Sequence, residues 1–439
     1  MAIHTAVIGS GWAGCAAAVT LAAGGQQVTL IDAARTPGGR ARQVMIHDQA
    51  LDNGQHILLG AYRESLRLMQ VVGIDLASSL LRMPLQMRYP PGCGMDFVAP
   101  RLPAPLHLIV ALWRATGLIR ADKLALMRFT SAARWMDWQL DTDCSVTELL
   151  ERFEQTERLV QLMWRPLCIA ALNTPPERAS AQVFLNVLKD SLGARRAASD
   201  MLLPRCDLST LFPKQAAQFV LRHDGKVMMG VRAHAIGKCN DGWKISFASD
   251  QHDDAKFDHV VIATDIDAAR ALMKPHTDVT ALSNFTHEPI TTCYLQYPPD
   301  CQLDLPFYAL VDDPSVQHWG QFVFDRGQLN ADQAGLLAVV ISASSLAIET
   351  GHAELTTALA TQLADVLKRP DLATPLWTKV ITEKRATFSC TPGLPRPSIL
   401  TALQGVILAG DYTASPYPAT LESAVRSGIA AARLLLELH

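Results

Sequence analysis

An α/β fold, doubly wound around a parallel sheet and interrupted by an inserted α+β part that is helical in places, is what this sequence predicts. Three observations carry the prediction. A short apolar strand at 3–8 runs into Gly9, Gly11 and Gly14, an alanine-rich helix, and a second apolar strand that ends at Asp32. The chain closes on the same order in miniature, with an apolar run at 405–409, the turn residues Gly410 and Asp411, and a helix over 421–438. From about 76 to 205 the apolar positions recur at three- and four-residue steps instead, the spacing of helices packed on one face.

The first thirty-two residues form a strand–helix–strand unit, the element that opens a doubly wound sheet. Met1 to Ile31 contains no Lys, Arg, Asp or Glu, as a leader or a membrane span would. It lacks a basic start, however, and five glycines interrupt it, so a buried strand, turn and helix explain it better. In the helical stretch, 104–119 is apolar but short for a span and holds His107 and Arg114. It reads as an amphipathic helix, either buried or lying at a membrane surface. Helices are expected over 124–138 and 146–164. Pro204 and Pro213 bracket a less regular stretch, after which strands return at 227–236, 243–247 and 259–263. Further strands at 292–297 and 336–342 surround one amphipathic helix at 354–368. The nucleotide-binding pieces thus lie at both ends and in the middle. The expected division is 1–75, 206–275 and 390–439 for cofactor binding, with 76–205 and 276–389 for substrate.

Length and composition narrow the function classes. A chain of 439 residues accommodates two or three domains. Hydrophobic residues at 49% against 18% charged supply a large core, which excludes global disorder. A net charge of −3 argues against nucleic acid as the main partner. Nine cysteines without a CxxC pair offer neither a disulfide framework nor a zinc site. The thiols read as reduced, the compartment as cytoplasmic, and no metal is expected.

The glycine pattern carries chemistry. Gly9 permits a tight turn, Gly11 lets the backbone approach a pyrophosphate, and Gly14 allows close helix–strand packing. Trp12 and Ala13 begin the helix, whose N-terminal amides and partial positive charge suit phosphates. Asp32, eighteen residues beyond Gly14, is placed to accept ribose hydroxyls. This pattern alone does not separate a nicotinamide from a flavin.

Two further stretches do. Gly38, Gly39 and Arg40 follow the second strand, and Asp52, Asn53, Gly54, Gln55 and His56 come shortly after. With Gly410, Asp411 and the run Tyr417-Pro418-Ala419-Thr420-Leu421-Glu422, they resemble the flavin-containing amine oxidase and phytoene desaturase superfamily. The resemblance implies a Rossmann-like FAD-binding domain of the GR2-type flavoproteins, with FAD held non-covalently. It implies Gly39 and Arg40 near the pyrophosphate or ribityl chain, Gln55 and His56 nearer the isoalloxazine, and Asp411 on the ribityl or pyrophosphate. Ala419, Thr420 and Leu421 would face the pyrimidine edge, where a helix N-terminus stabilises negative charge. Ala233 would lie at the adenine, Thr264 beside the cofactor.

The stretches 53–62, 164–174 and 199–205 resemble one branch of that superfamily, the hydroxysqualene dehydroxylases. The resemblance implies an FAD-dependent oxidoreductase that replaces the allylic hydroxyl of hydroxysqualene by hydrogen, giving squalene for hopanoid and other C30 isoprenoid synthesis. It implies a long-chain isoprenoid as substrate, neighbouring enzymes of the squalene pathway as partners, and peripheral contact at the inner face of the membrane. Trp164 and Asn173 are the substrate-side candidates, and Trp113, Trp135 and Trp138 would help line a tunnel.

The chemistry needs an acid for the leaving oxygen. Asp190, Asp200, Asp207, Arg205 and Tyr417 are the polar candidates, none singled out by the sequence. Three other readings stay open: a phytoene-type desaturase, a flavin amine oxidase with Lys384 near the flavin, and a non-enzymatic prenyl-binding protein.

Overall fold

The computed structural model describes residues 3–248 and 255–437; the expected helix end at Leu438 lies outside them. A five-stranded sheet takes its strands from four separate regions of the chain. Its order is Lys226–Met229, Gln27–Asp32, His4–Ile8, His259–Ile262 and Val406–Leu408, all parallel. Register aligns Ile8 with Ile31 on one side and with Ile262 on the other, and Ile262 with Leu408. All five strands therefore end at one edge, where open α/β sheets bind ligands.

Small residues let two helices close over this sheet. Helix Trp12–Ala23 is buried along nearly its whole length and packs on helix Leu421–Glu437. A Cβ on Gly428 would stand 2.0 Å from the Ala13 carbonyl oxygen. Alanines and glycines thus set the interhelical distance, and the glycine rule applies here for packing rather than for a turn.

The second large sheet is antiparallel: Phe307–Ala309, Phe322–Asp325, Leu336–Ser342, His287–Gln296 and Trp377–Phe388. Strand Leu336–Ser342 is buried on both faces, and its period-two alternation separates two environments. Leu337, Val339 and Ile341 pack with Leu355, Leu359 and Leu363 of helix His352–Leu367. Leu336, Ala338 and Val340 face the main core. Opposite lie helices Arg165–Leu172 and Ala181–Ser191, which share that core.

Several elements differ from the sequence expectation. The expected strand 227–236 is two strands, broken at Gly230, which has φ +75°. The first half, Lys226–Met229, edges the parallel sheet; the second, Ala233–Cys239, opens a separate three-stranded antiparallel sheet. The expected helix 146–164 ends at Arg152, restarts at a Thr156 cap and passes through a π-helical turn at Val160–Trp164. The helix expected at 124–138 is Arg120–Trp135. The stretch 76–205 also holds short strands at Leu80–Met83, Gln86–Arg88, Asp96–Val98 and Met201–Pro204, too short for a periodicity signal. All nine cysteines are free thiols. No helix among the described residues is long and apolar enough to cross a membrane.

Candidate active site

A cavity of about 1150 Å³ runs from the carboxyl edge of the parallel sheet into the space between the antiparallel sheet and the helices. Its two ends differ in chemistry. Glycines, Asp32, Arg40 and Asp411 line the first; Leu167, Ile169, Phe184, Val187, Leu188, Phe322, Phe324 and Val340 line the second.

The glycine turn divides its tasks. A Cβ on Gly9 would meet the Ala263 carbonyl oxygen at 2.4 Å, and one on Gly14 the Gly9 carbonyl oxygen at 1.8 Å. Gly14 accordingly does not line the cavity; it brings helix against strand. Gly11 meets nothing closer than the Cα of Gly39 at 3.9 Å and opens on the cavity. It is also the N-cap of helix Trp12–Ala23 and supplies no side-chain cap, so the first amides of that helix stay available to a ligand. Asp32 Oδ2 accepts from Ser10 N at 2.5 Å and Ser10 Oγ at 2.7 Å, while Oδ1 accepts from Ala34 N at 2.7 Å. A carboxylate offers about four acceptor positions, so Asp32 fastens the turn and keeps capacity for a ligand.

Arg40 and Asp411, 371 positions apart, form an ion pair in which Arg40 Nη2 donates to both carboxylate oxygens, at 2.6 and 2.7 Å. Arg40 also donates to the Ala386 carbonyl at 2.7 Å. Burial opposes the Arg40 charge, and Asp411 more than restores it, so the guanidinium is held protonated above its ordinary range. Arg396, which the sequence reading did not single out, donates to the carbonyls of Asp411, Ser415 and Tyr417 and so fastens the loop before the last helix. Glu422 does the same from the other side, accepting from Ser65 N at 2.9 Å and Ser65 Oγ at 2.7 Å.

Gln55 and His56 both line the cavity. Gln55 Nε2 donates to Tyr294 Oη at 2.9 Å, Tyr294 donates to the Asp52 carbonyl at 2.7 Å, and Arg326 donates to Gln55 Oε1 at 2.9 Å. The amide is thereby fixed in one orientation by two residues far along the chain. The His56 ring is 2.9 Å from the Gly54 carbonyl through Nδ1. Since a carbonyl only accepts, Nδ1 carries the proton. Burial pushes the His56 pKa down, which leaves Nε2 as an acceptor. Trp12, Ala13, Gly39, Ala233, Thr264, Gly410, Ala419, Thr420 and Leu421 also line the cavity.

The acid candidates separate clearly. Tyr417 donates to the Asp190 carboxylate, and both line the cavity. Burial, then the Asp190 hydrogen bond, raise the Tyr417 pKa; Arg426 lies 4.7 Å from its ring centroid. Asp200 is buried away from the cavity, paired with Arg196 at 2.9 Å and Arg82 at 3.1 Å. Asp207 caps helix Leu208–Leu211 through Thr210 N. Arg205 is exposed and outside the cavity.

The two substrate-side candidates part: Trp164 lies off the cavity and Asn173 lines it. Trp164 sits in the helical core between Phe129 and Phe184, its Nε1 bonded to Gln155 at 2.9 Å, and does not reach the cavity. Asn173 borders the cavity, but its amide is spent on structure. It takes a left-handed conformation at a helix end, donates to Glu288 O and Thr387 Oγ1, and accepts from Ala343 N. Trp138 is core, while Trp113 and Trp135 point outward. Lys384 is exposed, and among the described residues no lysine lines the cavity.

The family described as flavin containing amine oxidoreductase matches residues 12–436. A hydroxysqualene dehydroxylase of Rhodopseudomonas palustris is 27% identical, covering 98% of this chain and 97% of its own. A 15-cis-phytoene desaturase of Glycine max is 22% identical, covering 99% and 80%. A solved putrescine oxidase variant shares the fold with a TM-score of 0.72 at 14% identity, covering 100% of both chains. The site suits FAD on its own geometry: Gly11 opens on the cavity, the helix behind it has no side-chain cap, and Asp32 and the Arg40–Asp411 ion pair line the same end. The chain belongs to the flavin-containing amine oxidoreductase family, and it is an FAD-dependent oxidoreductase.

Proposed function

We propose that this enzyme reductively dehydroxylates hydroxysqualene to squalene, as the name of its Rhodopseudomonas palustris relative describes. One observation carries the reading: the nucleotide end of the cavity opens directly into an apolar chamber walled by Phe184, Leu188, Phe322, Phe324 and Val340. A branched hydrocarbon fits such walls, which are predominantly aliphatic and aromatic. FAD, when bound and reduced, supplies the hydride that replaces the hydroxyl.

The chain's own residues have four tasks in this reading. Gly11, Asp32, Gly39, Arg40, Asp411 and the amides at 419–421 hold the cofactor. Gln55, fixed by Tyr294 and Arg326, orients what lies against it. The apolar walls exclude water, which protects an allylic cation from capture. Tyr417 and Asp190 handle the proton: the C–O bond breaks, the electron pair stays on oxygen, and the Tyr417 proton leaves with it as water. Asp190, hydrogen-bonded to the Tyr417 hydroxyl and itself only partly buried, then relays a proton from solvent back to Tyr417. The chain then divides as 1–75, 206–275 and 390–439 for FAD, with 76–205 and 276–389 for substrate. Contact with a membrane and with neighbouring squalene-pathway enzymes follows from the substrate's insolubility.

The test is anaerobic incubation of photoreduced protein with hydroxysqualene, followed by product analysis. Squalene is expected. Turnover of phytoene but not hydroxysqualene would replace this reading with that of a desaturase. Tyr417→Phe should slow flavin reoxidation by hydroxysqualene about 100-fold, as loss of a general acid does, while FAD stays bound. An unchanged rate removes the proton role.

A further inference from the structure

We infer that the outward faces of helices Leu106–Arg114 and Arg120–Trp135 dock on an anionic lipid surface. The inference rests on the isoprenoid reading above and names the surface through which that substrate would arrive. On the first helix, Leu106, Ile109 and Trp113 are exposed at i, i+3 and i+7, while Ala111 and Leu112 fill the core. On the second, Leu124, Met127 and Trp135 are exposed, while Ala125, Phe129 and Ala133 are buried. Trp113 is 76% and Trp135 92% exposed. Each helix therefore carries a second apolar stripe beyond the one its own packing requires. A clustered stripe of this kind marks an interaction site, and tryptophans favour the membrane interface.

Charge selects the partner. Residues 101–134 contain five arginines and one lysine against a single acid, Asp122. Asp122 is buried and engaged with Ile119 N and Thr156. Arg101, Arg114, Arg120 and Arg134 are exposed and have no carboxylate partner among the described residues. A chain of net charge −3 thus concentrates positive charge on this face. Polar groups on such a surface contribute about fivefold in affinity per basic side chain near anionic lipid. The face also adjoins the apolar chamber. Strand Gln86–Arg88 lines the cavity through Gln86 and Met87 and pairs with Asp96–Val98. Asp96 in turn bridges to Thr116, between the two helices.

Flotation of the FAD-loaded full chain tests this, using vesicles of phosphatidylcholine alone and of phosphatidylcholine mixed with phosphatidylglycerol. Flotation with the mixed vesicles, lost on phosphatidylcholine alone and weakened by salt, is expected. Arg114→Gln with Arg120→Gln should weaken binding about 25-fold, and Trp113→Ser with Trp135→Ser at least about tenfold. Both pairs should keep the flavin spectrum and melting temperature. Wild-type protein that fails to float on anionic vesicles overturns the inference, as do variants that float equally well. A wild-type dimer that Trp135→Ser makes monomeric also overturns it, because a second copy would then cover the face. Turnover of hydroxysqualene in detergent micelles separates the two readings: turnover without flotation removes the docking face, and flotation without turnover removes the substrate.

Discussion

Asp52 shows how one buried group couples the site to pH. Its Oδ1 accepts from Leu208 N at 2.7 Å, and burial pushes its pKa up to about 7 despite that bond and nearby Arg326. The folded state therefore binds a proton that the unfolded chain releases near pH 4. Stability from this group is full below the unfolded pKa and is lost as pH rises through about 7. Asp52→Asn keeps the acceptor for Leu208 and removes the titration. Above neutrality the variant should be more stable by roughly 1–4 kcal/mol, with parity near pH 4; melting temperatures across that range check it. Parallel curves would mean that Asp52 ionises freely. The Arg40–Asp411 pair gives a second expectation. Asp411→Ala removes two charge-assisted bonds and leaves Arg40 facing the cavity without its partner, so FAD retention should weaken by roughly 1.5–3 kcal/mol. Because Arg40 is partly exposed, the double variant with Arg40→Met should recover part of the loss, as a double-mutant cycle of FAD dissociation constants would show.

At the scale of elements, the glycine turn makes two neighbouring substitutions behave differently. Gly14→Ala drives a methyl into the Gly9 carbonyl, forcing the first helix off its strand, and should destabilise even FAD-free protein by about 1–3 kcal/mol. Gly11→Ala meets no atom closer than 3.9 Å, so the FAD-free variant should melt like wild type while binding FAD more weakly. Equal melting losses in both would show that Gly11 is structural too. The two roles were legible in the sequence because a strand, a turn and a helix are local. The successive strands Lys226–Met229 and Ala233–Cys239 were not: they read as one run, and only Gly230 marks where one sheet ends and another begins.

Across the whole molecule, the cavity residues proposed to hold FAD come from stretches within 9–13, 32–40, 53–56 and 410–421 and from positions 233 and 264. FAD therefore ties together segments that the chain keeps far apart. It should raise the melting temperature in proportion to the logarithm of its concentration, by about 2.7 kcal/mol of stability at a hundredfold excess over the dissociation constant. FMN, which lacks the adenosine half, should give much less. Thermal melts of FAD-stripped protein titrated with each flavin check this; equal stabilisation by FMN would leave Asp32 and Ala233 without a ligand.

The sequence by itself determined the nucleotide-binding ends, since glycine spacing, apolar runs and the closing acids are set within a few residues of one another. Gly9, Gly11, Asp32 and Asp411 stand where that spacing put them. Tertiary structure decided which distant charges meet. Arg40 finds Asp411, Tyr417 finds Asp190, and Asp200 is taken out of contention by Arg82 and Arg196. It also sorted the tryptophans, sending Trp138 and Trp164 into the core and leaving Trp113 and Trp135 outside. Helical periodicity shows that a helix has apolar faces. It does not say which face is covered, because that depends on neighbours brought in from elsewhere along the chain.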